Sequence, residues 1–215
     1  MKEIPKIHIS KSEEDIKSIT LHMLPPLWAP AKPDTACTVI SYDGSTGTQH
    51  SIISVKVRGV TQIDEFEANE TVYRERIEDT LVSKRMYWIF PGKSEFKTIL
   101  REIDEKKQTR YMERMNASFP RKISVGDQFI SREEYFRGDF CATLDFNEIV
   151  TGAFQVHVGS EKYTSLKLSS QCANCPNLMM EYYIDVDTGR VIFAYKFIKK
   201  SCDFNLDKVF IAKYN

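Results

Sequence analysis

From Ala36 onward, apolar and polar residues trade places in short runs rich in Val, Ile, Thr, Tyr and Phe, and Gly, Asp and Asn break the runs. A period of two puts successive side chains on opposite faces of an extended chain, so the pattern predicts short β-strands joined by turns. CTVISY leads through Asp43-Gly44 into HSIISVKVRG. This reads as a first hairpin with a long loop, because Asp-Gly tolerates the positive φ values of tight turns. VTQIDEF, ETVYRERI, KRMYWIF and FKTILREI then continue at the strand-and-turn spacing of sandwiches and barrels. ILREIDEKKQTRYMERM also carries opposite charges at helical offsets, but strand is the preferred reading.

The connection FPRKISVG, from Phe119 to Gly126, divides this stretch from a second β-rich half containing GAFQVHV, KYTSLKL, EYYIDV and RVIFAYKF. Gly159-Ser160 is expected to turn the first pair. Asp187-Thr188-Gly189 is expected to turn the second, with Gly189 in the left-handed region that glycine enters without steric cost. In RVIFAYKF, Val191, Phe193, Tyr195 and Phe197 share one face, and Ile192, Ala194, Lys196 and Ile198 share the other. Both faces are largely apolar, which predicts a central strand covered on both sides. KVFIAKY near the terminus is expected to close the sheet.

Residues 1–35 differ, holding five of the eight prolines and ending in LPPLWAPAKP, and are read as an extension lying over the rest. Within it Ile16, Ile19, Met23 and Leu24 suit one face of a helix capped by Ser12, although Ile19, Leu21 and Met23 also alternate as a strand would. The helix is preferred, and Pro25-Pro26 ends either element. The expected fold is therefore mainly β, an antiparallel curved sheet or incomplete barrel in two related halves. Its parts are an extension with a short helix (1–35), a first β-rich half (36–118) and a second (119–215), which together can form one continuous domain.

At 215 residues with 42% hydrophobic and 28% charged content, the chain is long enough to bury a core without disulfides. Thirty basic and thirty acidic residues leave no net field to attract nucleic acid or anionic membrane, so neither is an expected partner. The first nineteen residues interrupt every apolar run with charge, unlike an export signal, and no run approaches bilayer length. A cytoplasmic location with five free thiols follows as the expectation.

The block GAFQVHVGSEKYTSLKL, a spacer, then EYYIDVDTGRVIFAYKF carries Gly159, Tyr163, Leu166, Leu168, Tyr183, Asp185, Gly189 and Arg190 in a strand, Gly turn, strand and hairpin pattern. It resembles the C-terminal part of uncharacterised β-rich proteins of Firmicutes. The resemblance implies a β-sheet fold and brings no activity and no site residue.

Chemical motifs are sparse. Cys172-Ala-Asn-Cys175 has the spacing for half a tetrahedral zinc site or a redox disulfide, but no second such pair exists. Further ligands would have to come from Cys141, Cys202 or His157. The pair lies between strands rather than at a helix start, so inert thiols are preferred. Glu133-Glu134 point to opposite faces of a strand, Asp187 has an ordinary turn role beside Asp185, and the remaining histidines, His8, His22 and His50, are dispersed. Gly44-Ser-Thr-Gly47 lacks the lysine of a phosphate loop, and no nucleophile elbow is present. No catalytic residue and no cofactor is assigned. Aromatic content remains: with 10 Tyr, 13 Phe and 2 Trp, the residues singled out as ligand-binding are Trp88, Tyr183, Phe193 and Tyr195. The expected function is a non-catalytic module binding a small amphipathic ligand or a partner. The alternatives are a metal- or thiol-dependent enzyme built on Cys172 and Cys175, and a structural homo-oligomer joined at an open sheet edge.

Overall fold

The computed structural model describes residues 2–63, 66–104, 110–137, 140–200 and 203–214. The N-terminal segment holds four short strands, Ile7–Lys11 (β1), Ser18–Thr20 (β2), Met23–Leu24 (β3) and Ala29–Pro30 (β4), with a single 3-10 turn at Pro25–Leu27. The first half of the remainder comprises Ala36–Asp43 (β5), Gln49–Ile63 (β6), Phe66–Ile77 (β7), Thr80–Pro91 (β8), Glu95–Asp104 (β9) and Arg110–Pro120 (β10). A short strand, Lys122–Ser124 (β11), leads into Gln128–Arg137 (β12), Phe140–Val158 (β13), Glu161–Cys172 (β14), Leu178–Asp185 (β15), Val191–Lys200 (β16) and Asp203–Tyr214 (β17).

Twelve of these strands form an antiparallel ring in the order β13-β12-β10-β9-β8-β7-β6-β5-β17-β16-β15-β14, and β14 pairs back onto β13. The expectation of a curved sheet or incomplete barrel is thus corrected to a closed barrel. The ring is closed by β17, which runs antiparallel to β5 from Lys208 opposite Asp43 to Tyr214 opposite Cys37, while the 19-residue β13 pairs with its chain neighbours β12 and β14. Closure satisfies backbone groups that an open edge would expose. Among the described residues no helix is long and apolar enough to cross a membrane.

The expected helix over residues 12–24 is also corrected. Ser18–Thr20 pairs antiparallel with Lys122–Ser124, Met23–Leu24 pairs with Ala29–Pro30, and the period-two file Ile19, Leu21, Met23 is buried throughout. Tertiary burial of that file outweighs weak local helix propensity, and Pro25 sits at the start of the 3-10 turn where its missing N–H costs nothing. Rather than lying over the barrel, this segment enters it as a plug. Leu21 N–H donates to Arg121 O, His22 N–H to Gly189 O, and Asn69 Nδ2 to Ala31 O, so the plug is bonded to three parts of the wall. Its side chains pack with Val39, Val55, Ile89, Phe96, Phe119, Leu166, Leu168 and Ile184 into the principal core.

A second core lies on the other face of the same wall. Tyr42, Val156, Val158, Tyr183, Ile192, Phe193, Val209 and Ile211 pack together with Ile4, Ile7 and Ile9 of the N-terminal strap. The strap is held at both ends: Glu3 bridges Thr48, and β1 runs antiparallel to β13 from Ile7 opposite Val158 to Lys11 opposite Phe154. β16 therefore has both faces covered, as its sequence predicts. One detail departs from simple alternation: a bulge between Tyr183 and Ile184 places Val191 in the first core and both Ile192 and Phe193 in the second.

Candidate ligand site beneath the plug

The inner wall changes character just past the plug. Its tip carries Trp28, held in the left-handed region at φ 50° and stacked at an angle on Tyr182 of β15 and Phe210 of β17, at 6.4 and 6.2 Å between ring centres. Ile53, Tyr73, Met180 and Phe210 pack against the principal core from within the barrel but remain only half-buried, whereas the plug-facing residues above them are sealed. A chamber of about 10 Å³, the room of a single water, separates Leu24 and Pro26 from Thr98, Phe119 and Ser131.

Beside this apolar wall stands Glu148 of β13, 1% exposed. Ser131 and Ser170 donate their hydroxyls to its Oε1 at 2.7 and 3.0 Å, while Oε2 has no hydrogen-bond partner among the described residues. Burial pushes the carboxyl up to about 7 against the two serine hydrogen bonds, and the nearby Glu133 charge pushes the same way. Burial also raises the Tyr182 hydroxyl, with the charge of Glu148 adding to the effect. Ser41, Thr71 and Thr98, on the inward files of Val39, Tyr73 and Phe96, likewise have hydroxyls with no partner among the described residues. Buried polar groups are normally paired, so this inner wall presents acceptors and hydroxyls with spare hydrogen-bonding capacity beside an aromatic and thioether surface. Such a wall can hold a molecule with an apolar body and a hydroxylated or amide head.

The structure distributes the sequence-selected residues differently. Tyr183, Phe193 and Tyr195 do come together: Tyr183 and Phe193 stack at 4.3 Å with planes 9° apart, and Tyr195 meets Phe193 edge-on at 5.1 Å. They belong to the second core, under the strap and outside the lumen. Trp88 is half-buried on β8, between Tyr87 and Ile89 whose side chains enter the principal core, and so faces away from the lumen. Cys172 is buried at the end of β14 and Cys175 is exposed; the Cys175 N–H donates to Cys172 Sγ at 3.1 Å, which stitches the turn. Burial pushes the Cys172 thiol up, away from the thiolate that metal binding or redox chemistry needs. Cys141 is exposed, and Cys202 lies outside the described residues. His157 stands opposite His8 of the strap, rings 6.2 Å apart. Asp185 accepts the N–H and hydroxyl of Thr188, and Gly189 takes φ 61° as expected, so these residues build the turn.

Glu148 is not apparent from motif spacing. The available signal is its place in the file Phe146, Glu148, Val150, where a carboxyl alternates with apolar residues on the inward face of a strand.

No protein-family model and no curated protein sequence matches the chain. Among solved structures it is similar to a "putative exported protein with YmcC-like fold" from Bacteroides fragilis, at TM-score 0.51 and 7% identity, over 92% of this chain and 99% of that one. A "putative lipoprotein" from Parabacteroides distasonis aligns at TM-score 0.36 and 12% identity over the same shares. The first of these shares the fold. The cytoplasmic expectation is corrected on this finding, since the fold occurs in a protein described as exported. Within the charged N-terminal stretch, Ile7–Lys11 is a strand of the barrel assembly.

Proposed function

We propose that the protein is a non-catalytic binding barrel whose lumen, beneath the plug, takes a small amphipathic molecule. One observation carries this reading: Met180 lies opposite Ser170, which bonds Glu148, and stays half-buried on the inward wall, while Glu148 Oε2 has no partner among the described residues. In a barrel built only for stability, such an inward side chain would be buried and that oxygen paired. The apolar body of the ligand would lie against Tyr73, Met180 and Phe210, and its polar head would meet Glu148, Ser131 and Ser170. With this reading we infer a working place outside the cytosol, by analogy with the exported protein of the same fold. The metal- or thiol-enzyme reading draws less support, because Cys172 is buried and its thiol is held protonated.

Native mass spectrometry of freshly purified protein tests the proposal. A bound species released on unfolding and lost in Phe210→Asp supports it. A mass equal to the bare chain, together with no adduct after incubation with a monoacylglycerol, contradicts it.

A further inference from the structure

At the plugged mouth of the barrel a second cleft of about 260 Å³ is lined by His22, Pro30, Lys32, Thr35, Thr188 and Arg190. The first three come from the plug, Thr35 leads into β5, and the last two lie on the turn between β15 and β16. No lining residue is acidic, and no carboxylate lies within ion-pair distance of Lys32 or Arg190 among the described residues. The carboxylate of Asp185 is taken up by Thr188. In a chain with no net charge, this mouth gathers cations that no carboxylate pairs with among the described residues.

The cations are also held in place. Arg190 lies over the Tyr214 ring at 4.9 Å, which fixes the guanidinium against the wall. The His22 backbone is bonded on both sides, its N–H donating to Gly189 O and its carbonyl accepting from Ala31 N–H. Burial, then the charges of Arg121, Lys32 and Arg190, hold the His22 ring below its ordinary range, so the imidazole is neutral near pH 7 and offers one N–H. The hydroxyls of Thr35 and Thr188 donate to Lys32 O and to Asp185. The free donors are therefore the ammonium of Lys32, the guanidinium of Arg190 and the His22 ring. A fork-shaped guanidinium beside a point-charge ammonium matches an oxyanion with several acceptor oxygens and more than one negative charge.

We propose that this cleft binds a phosphate-type oxyanion, either as the free ion or as the head of a phosphorylated small molecule or lipid. Because its walls belong partly to the plug and partly to the barrel, the bound anion fastens the plug to the rim. This site is separate from the lumen, and its fate does not depend on the lumen reading.

The test is a titration of the full chain with inorganic phosphate, against sodium chloride at matched ionic strength, followed by calorimetry and by hydrogen exchange of the plug amides at residues 21–24. Saturable phosphate binding that slows exchange in the plug, and that falls at least tenfold in Lys32→Gln with Arg190→Gln, is the expected result. Lys32→Gln alone changes an exposed side chain, and should weaken binding in a protein that still melts normally. Flotation with phosphatidylcholine vesicles, with and without phosphatidic acid, separates the sources. Phosphate-competed binding to the doped vesicles assigns a lipid head, and phosphate binding without flotation assigns a soluble ligand. No phosphate effect beyond that of chloride, or an effect undiminished in the double variant, overturns the site.

Discussion

Trp28 and Tyr182 meet edge-on, 6.4 Å apart with planes at 63°, and this contact joins the tip of the plug to the wall that also carries Glu148. The plug is thus more than a lid: its last aromatic residue forms the ceiling of the lumen. Trp28 is 7% exposed and reaches Phe210 as well. Trp28→Ala is expected to cost about 3–5 kcal/mol, as for other buried aromatic truncations, even though the smaller residue relieves little of the left-handed backbone strain. Trp88→Ala, on the outer face of β8, should cost less than half as much. Paired urea melts of the two variants check the contrast, and equal losses would deny the plug its place in the core.

The plug also meets the rim at Gly189. A Cβ on this residue would stand 2.1 Å from the Thr20 carbonyl oxygen and 3.1 Å from His22, and φ is 61°. Clash and backbone strain act together here, so Gly189→Val is expected to lose more than the ~1–3 kcal/mol of a strained residue alone. Thermal melts of Gly189→Val and of Gly159→Val, whose Cβ would meet nothing closer than 4.0 Å, separate close approach from φ. Equal losses would mean that the plug does not press on this turn.

Glu148 makes stability depend on pH in a direction opposite to that of a paired carboxylate. Its folded value, about 7, lies above the ordinary 4.5, so the native state binds the proton more tightly than the unfolded chain. Stability supplied by this group is full below about 4.5 and is lost as pH rises towards 7, by roughly 3 kcal/mol at 1.36 kcal/mol per unit. Glu148→Gln should flatten that part of the profile and raise stability at neutral pH. Denaturant melts from pH 4 to 8 decide the point, and an unchanged slope in the variant would remove Glu148 from the account.

Much of the wall was legible because local and global signals agree there. GAFQVHV, EYYIDV and RVIFAYKF alternate, their turns carry glycine, and the structure pairs them as their order suggests. The two apolar faces of β16 correctly announced cover on both sides. The closing strand was legible too, for KVFIAKY pairs with β5 from Lys208 opposite Asp43 to Tyr214 opposite Cys37; that this pairing makes a full ring was not, since it joins residues far apart in sequence, which alternation within one strand does not encode. The plug was misread because Ile16, Ile19, Met23 and Leu24 fit a helix face as well as Ile19, Leu21 and Met23 fit a strand. Burial inside the ring chose between them. For the site, Tyr183, Phe193 and Tyr195 do cluster, but a residue's aromatic character does not say which face of a two-sided wall it occupies. Glu148 carried no motif, and only the fold reveals that a lone acid in an inward file has been buried with one oxygen spare.

The lumen proposal is tested most directly by the plug's own tryptophan. In Trp88→Phe protein Trp28 is the only remaining indole, and it sits at the lumen ceiling against Phe210. Titration with a monoacylglycerol below its micelle threshold should shift or quench Trp28 emission to saturation at one ligand per chain. Phe210→Ala in the same background should weaken that binding by roughly tenfold or more, in line with loss of ~1.4 kcal/mol or more of aromatic contact. No saturable change in emission, or a change of equal affinity in the Phe210→Ala protein, would contradict a ligand in the lumen.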